Sequence, residues 1–329
     1  MLKVMEKKKN KRKTLLIPLF FSMVLMITTT YAWFSANRMV SIDSLNVHVQ
    51  ADGGIEVSTN AIDWKQVVTI EDIQSARSKY AGSVNQIPYQ MIPVSTGGNI
   101  SNGKLEMFFG NATNDESADF ILVADRTSET ESFGEESSGE FIVFDVFFRV
   151  KATKELYIDK GSKIEYVGDR TPGIENAVRL AFINEGSSSD TPNVSQALNG
   201  GLSTTIWEPN YDVHTEYGVE HARNIYGLTT SQTGATILPY DGVISNIAAG
   251  DNVLVSNANA NVYPSFFKRV NVAISTPKTG MSNQKILDLN PSVTKLRIYM
   301  WIEGQDVDCE DNASYGDITF DLKFTTNPS

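Results

Sequence analysis

From Leu45 to the C-terminus, apolar and polar positions recur with period two. Leu45, Val47, Val49 and Ala51 fall on one side of an extended segment, with Asn46, His48 and Gln50 on the other. Ile142, Phe144, Val146, Phe148 and Val150 alternate with Phe141, Val143, Asp145, Phe147 and Arg149. This second segment is apolar on both sides at its start, as a central strand covered on both faces would be. Val178, Leu180 and Phe182 predict a third strand, and Val270, Val272 and Ile274 a fourth. Leu296, Ile298, Met300 and Ile302 form one face opposite Arg297, Tyr299, Trp301 and Glu303. The last alternation sets Ile318, Phe320, Leu322 and Phe324 against Thr319, Asp321, Lys323 and Thr325. Enrichment in Val, Ile, Phe, Tyr and Thr suits a pleated, half-buried surface.

Helical spacing is confined to Thr69–Tyr80, where Ile70, Ile73, Arg77 and Tyr80 share a face and Thr69 is placed to cap. Long polar loops are expected near 111–139, 184–203 and 250–260, the first broken only by the apolar run Phe120–Ala124. The resulting expectation is an all-β ectodomain over residues 35–329. Two antiparallel sheets would pack as a β-sandwich with Greek-key or jelly-roll connections.

The N-terminus breaks the pattern. Lys3, Lys7, Lys8, Lys9, Lys11, Arg12 and Lys13 make residues 1–13 a basic region, and residues 14–34 carry no charge. As a helix that apolar stretch spans about 30 Å, the thickness of a hydrocarbon core. Its basic flank holds the first residues in the cytoplasm and sends the ectodomain outside. Two readings fit: a signal peptide cleaved near Thr30-Tyr31-Ala32, or an uncleaved membrane anchor. Either one gives an extracellular, cell-surface or membrane-anchored protein.

Charge sharpens that picture. The chain has 28 Lys and Arg against 39 Asp and Glu, and residues 1–34 hold seven and one of these. The remaining 21 and 38 give the ectodomain a formal charge of −17. Such a surface repels phosphate backbones, which argues against nucleic acid as a partner. Cys309 is the one cysteine, so no intrachain disulfide is possible. A chain of this size can bury an adequate core without one.

Motifs for catalysis are missing. His214, Glu216, Glu220 and His221 lie close together, but neither His-Glu-x-x-His nor its inverse is formed, and the pair reads as solvated. There is no Gly-x-Ser-x-Gly and no phosphate-binding glycine loop after a strand. The sequence therefore points away from an enzyme. One acidic cluster stands out: Glu303, Asp306, Asp308, Glu310 and Asp311 crowd the loop between the last two strands. Closely spaced carboxylates can supply several of the six to eight oxygens calcium takes. The competing reading is a charged edge that discourages aggregation.

Thr30-Tyr31-Ala32-Trp33-Phe34-Ser35, closing the apolar segment, resembles the export region of TasA/camelysin-type surface and matrix proteins. Tyr299–Asp306 with Asp308-Cys309, and Trp207-Glu208-Pro209-Asn210, are similar to exported proteins of the same broad kind. The apolar segment lacks the usual glycine-rich stretch, and the ectodomain is longer than typical members. The resemblance implies cleavage by a dedicated signal peptidase and a jelly-roll subunit of extracellular fibres or biofilm matrix. Subunits of that kind join when the N-terminal strand of one completes the sheet of the next. Here Leu45, Val47 and Val49 would be the inward residues of that assembly strand. Partners on this reading are further copies of the chain or other surface proteins, with the membrane reached through the N-terminal helix. The alternative is a surface module binding carbohydrate or a host protein, with Trp64 and Trp207 as contact residues.

Overall fold

A computed structural model describes residues 40–50, 54–76, 83–114, 120–127, 133–168, 172–189, 198, 200–220, 241–243, 267–309 and 317–329. Among these no helix is long and apolar enough to cross a membrane. The basic region 1–13 and the apolar segment 14–34 lie outside them.

Two sheets carry the fold. The first runs β17 (Gln284–Leu289), β10 (Lys154–Ile158), β19 (Asp317–Thr325), β1 (Val40–Gln50), β4 (Ile87–Met91) and β8 (Phe133–Gly139). To this path β11 (Lys163–Val167) adds on β19 and β3 (Val67–Val68) on β1. The second runs β16 (Ile274–Ser275), β13 (Ser203–Glu208), β12 (Val178–Ser188), β18 (Val293–Ile302), β9 (Ile142–Val150) and β2 (Ile55–Ser58). The expected alternations at 142–150, 296–302 and 318–324 all fall on strands.

The core lies between the two sheets, because each presents its apolar set to the other. Ile318, Phe320, Leu322 and Phe324 from β19 meet Phe144, Val146 and Phe148 of β9, Leu180 and Phe182 of β12, and Leu296, Ile298 and Met300 of β18. Phe324 stands edge-on to both Phe148 and Phe182, with ring centroids 5.6 and 6.0 Å away. Each of these side chains contributes about 1.5–3 kcal/mol by leaving water.

The second sheet is covered on its other face as well. Sheet β5 (Ser95–Ser101), β6 (Lys104–Asn114) and β7 (Phe120–Thr127) brings Leu105 and Met107 against Phe141, Val143, Ala181, Ile183, Tyr299 and Trp301. That explains why Ile142–Val150 is apolar on both sides. A two-stranded piece, β14 (Asp241–Val243) with β15 (Phe267–Arg269), completes the set.

Four expectations need correction. The sheets are mixed, since β1–β19, β4–β8 and β13–β16 are parallel pairs. Residues 111–139 are not one loop: they supply the end of β6 and all of β7 and β8. Likewise the strand expected at Val270–Ile274 shrinks to Ile274–Ser275, which pairs with Trp207 and Glu208. Within 184–203, β12 runs on to Ser188 and β13 begins at Ser203, while 250–260 lies outside the described residues. Local alternation sees neither strand order nor polar strands held by neighbours. The helix α1 (Ile70–Ala76) forms within the expected Thr69–Tyr80 stretch, of which residues 77–80 lie outside the described residues. Thr69 and Asp72 cap it reciprocally, the Thr69 amide reaching Asp72 Oδ2 at 3.1 Å and the Asp72 amide reaching Thr69 Oγ1 at 3.4 Å.

Candidate functional site

Beyond β18 the chain turns sharply at residues 303–309, and this turn gathers the buried acids. Glu303, Asp306 and Asp308 are all buried, which removes the reading of these three as a charged edge. Glu310 and Asp311 lie outside the described residues. The remaining three do not converge on one point. Glu303 accepts from Trp301 Nε1 at 3.0 Å and from the Gln305 amide at 3.1 Å. Asp306 takes Arg179 Nη2 on Oδ2 at 2.6 Å and the Asp308 amide on Oδ1 at 2.9 Å.

Asp308 ties together three segments distant in sequence. Its Oδ1 accepts from the Thr215 amide at 2.9 Å and from Thr215 Oγ1 at 2.6 Å. Its Oδ2 accepts from Asn176 Nδ2 at 3.0 Å and lies 3.1 Å from His214 Nδ1. Arg179, on β12, bridges Asp306 and Glu208, the latter at 2.8 Å. Burial works against the Arg179 charge, and Glu208, Asp306 and Glu303 more than restore it, so its pKa lies above the ordinary value. Burial likewise works against His214, but the hydrogen bond to Asp308 and the charges of Asp306 and Asp308 raise it overall. His214, expected to be solvated, is thus drawn into the acidic turn. Glu216 and Glu220 lie in a helical segment at 216–220, and His221 lies outside the described residues.

His214, Asp306 and Asp308 place ligand atoms within 4.8 Å of one another, close enough to share an ion. The chemistry of the donors sets against this. Both Asp308 oxygens are already engaged by donors, and Arg179 puts a full positive charge beside Asp306. A cation would have to compete with the Thr215 and Asn176 donors on Asp308 and face the guanidinium. As it stands, the turn is an ionic clamp between residues 303–309, β12 and residues 214–218.

No protein-family model, curated protein or solved structure matches the chain. The site is therefore read from its own geometry.

A second polar cluster, which the sequence pattern did not single out, lies on the outer face of the second sheet. Arg297 of β18 stands opposite Asp145 of β9 in the strand register, and Lys295 lies 3.3 Å from Asp145 Oδ2. All three are buried. The available signal was a charged residue at alternate positions of strands whose other positions were apolar.

The strand expected above to serve in assembly is placed by its backbone. In β1, Leu45, Val47 and Val49 stand in register with Phe320, Leu322 and Phe324 of β19, each of which is buried in the core. Of the two tryptophans considered as contact residues, Trp207 is buried and donates Nε1 to Thr276 Oγ1 at 2.9 Å. Trp64 is half-buried with the Arg149 guanidinium 4.2 Å from its ring centre. Cys309 is buried.

Proposed function

We propose that the chain is an exported structural protein of the cell surface, a jelly-roll subunit that joins into fibres when the N-terminal strand of one copy completes the sheet of the next. The observation that carries this reading is the position of β1. Although it comes first in the described chain, it sits inside its sheet, parallel to β19 over nine paired positions and antiparallel to β4 and β3 on its other side. Removing it would leave a slot between β19 and β4, flanked by the buried residues Phe320, Leu322 and Phe324. A strand at one end of the described fold is the kind that can be exchanged between identical subunits. Successive strands also cross repeatedly between the sheets, as in β1, β2, β3 and again in β17, β18, β19, which suits jelly-roll connections. Export rests on the basic and apolar residues 1–34.

The test is Val47→Asp in the ectodomain from Ser35 onward, followed by electron microscopy and a melting curve. A buried carboxylate without a partner costs several kcal/mol. In a donated strand the change abolishes fibres and leaves a folded subunit. In a strand that serves only its own domain it unfolds the domain. Folded Val47→Asp protein that still makes normal fibres refutes strand donation.

A further inference from the structure

The cluster around Asp145 contains an amine, a carboxyl and a second carboxyl, each in a distinct setting. Lys295 is fully buried on β18, a central strand, with Nζ 2.8 Å from the Leu198 carbonyl oxygen and 3.3 Å from Asp145 Oδ2. Asp145, on the neighbouring strand β9, is held in a two-pronged grip by Arg297, whose Nε lies 2.7 Å from Oδ1 and Nη2 3.1 Å from Oδ2. Glu185 comes from the third strand. It is the extra residue of a bulge in β12, between Asn184 opposite Leu296 and Gly186 opposite Lys295. The residue is 2% exposed, and neither carboxylate oxygen has a well-formed hydrogen-bond partner. A buried carboxylate in that condition is costly as an ion and favours its protonated form.

We propose that Lys295 and Asp145 are the partners of an intramolecular isopeptide bond that the folded chain forms by itself, with Glu185 carrying the proton between them. The step balances without any further reagent. A proton passes from the Lys295 ammonium to Asp145 Oδ2 across their contact, giving amine and carboxylic acid. Lys295 Nζ adds to Asp145 Cγ, and the negative charge that gathers on the carboxyl oxygen falls within the Arg297 grip. Glu185, protonated, gives its proton to the departing hydroxyl and takes one back from the nitrogen. The C–N bond forms, the C–OH bond breaks, one water leaves, and Glu185 ends as it began.

The surroundings favour the neutral Lys295 amine and the protonated Glu185. Burial lowers the Lys295 pKa, against the opposing pull of Asp145, and so eases release of its proton. Burial raises Glu185 above the ordinary carboxyl value, with Arg297 and Lys295 opposing and the Gly201 amide giving only slight relief. The product would tie β9 to β18 covalently, across 150 residues of chain between positions 145 and 295. A link spanning so long a loop restricts the unfolded chain strongly.

Peptide mapping of the folded full-length chain by trypsin and mass spectrometry decides the matter. The bond blocks cleavage at Lys295, so residues 286–297 appear joined to residues 127–149, lighter than the two peptides together by one water. Quantitative recovery of the linear peptides 127–149 and 286–295 overturns the proposal. Glu185→Gln separates the roles: folded by circular dichroism, it is expected to yield the linear peptides. A branched peptide formed equally well in that variant removes Glu185 from the reaction. Should Glu185→Gln not fold, the map of the unaltered chain still shows whether the bond forms, with Lys295→Arg as the uncrosslinked mass control.

Discussion

Arg297 grips Asp145 through two nitrogens, Nε at 2.7 Å and Nη2 at 3.1 Å, across strands whose register puts the two residues face to face. Both are buried, so neither charge has water to fall back on. Removing one partner of such a pair typically costs about 3–5 kcal/mol, because the other is left uncompensated. Arg297→Met is therefore expected to lower the melting temperature sharply. The triple variant Arg297→Met, Asp145→Leu and Lys295→Met, which removes all three buried charges of the cluster, is expected to recover a substantial part of the loss. Chemical denaturation of the three proteins measures both differences.

His214 makes part of the stability depend on pH. Its pKa in the folded chain lies above the ordinary 6.5, since the Asp308 hydrogen bond and the charges of Asp306 and Asp308 outweigh burial and the repulsion of Arg179. A histidine raised on folding binds its proton more tightly in the native state. The stability it contributes is complete below pH 6.5 and is lost as pH rises through the raised value. The melting-temperature gap between the unaltered chain and His214→Gln is thus expected to be widest in acid and to narrow toward alkaline pH. A gap that widens with pH would contradict this account.

Gly173 adopts a left-handed conformation, φ +83°, immediately before the short turn Ile174–Ala177. A Cβ there would clash with Thr215 Cγ2 and sit 3.0 Å from Asp308 Cγ. Gly173→Ala therefore combines backbone strain with pressure on the Thr215–Asp308 contact. The expected cost exceeds about 1 kcal/mol. Thermal melts check the loss of stability, and a His214 titration closer to the ordinary value would show that Asp308 had moved.

Calcium is expected to leave the melting temperature unchanged at millimolar concentration. Glu303 is taken up by Trp301 and Gln305, Asp306 by Arg179, and Asp308 by Thr215, Asn176 and His214. Paired melts with and without the ion measure this. A rise that disappears in Asp308→Asn would show instead that an ion displaces those donors.

The strands were legible because burial of one face imposes period two wherever the chain is extended. Phe144, Val146 and Phe148, and Phe320, Leu322 and Phe324, announced their strands without reference to anything else in the molecule. Residues 111–139 did not, since strands such as β8, Phe133–Gly139, carry a polar sequence that pairs because a neighbouring strand offers hydrogen bonds. The acidic turn was legible as a cluster of Glu303, Asp306 and Asp308 but not as a site. Its partners Arg179, Asn176 and Thr215 are more than 90 residues away in the chain, as 127 separate Arg179 from Asp306 and 93 separate Thr215 from Asp308.

By itself, then, the sequence determined the β character, the faces of its strongest strands, the capped helix after Thr69 and the acidity of residues 35–329. Each of these follows from local periodicity or from simple addition of charges. The tertiary structure decided the mixed strand order, the placing of β1 between β19 and β4, and the meeting of Lys295, Asp145, Arg297 and Glu185 on three neighbouring strands. The reason is physical: a charged residue at an alternate strand position faces solvent or a second layer according to what packs over it. Here Leu105 and Met107 of β6, with Leu198, cover the outer face of the second sheet, and they come from segments that no local pattern connects to β18.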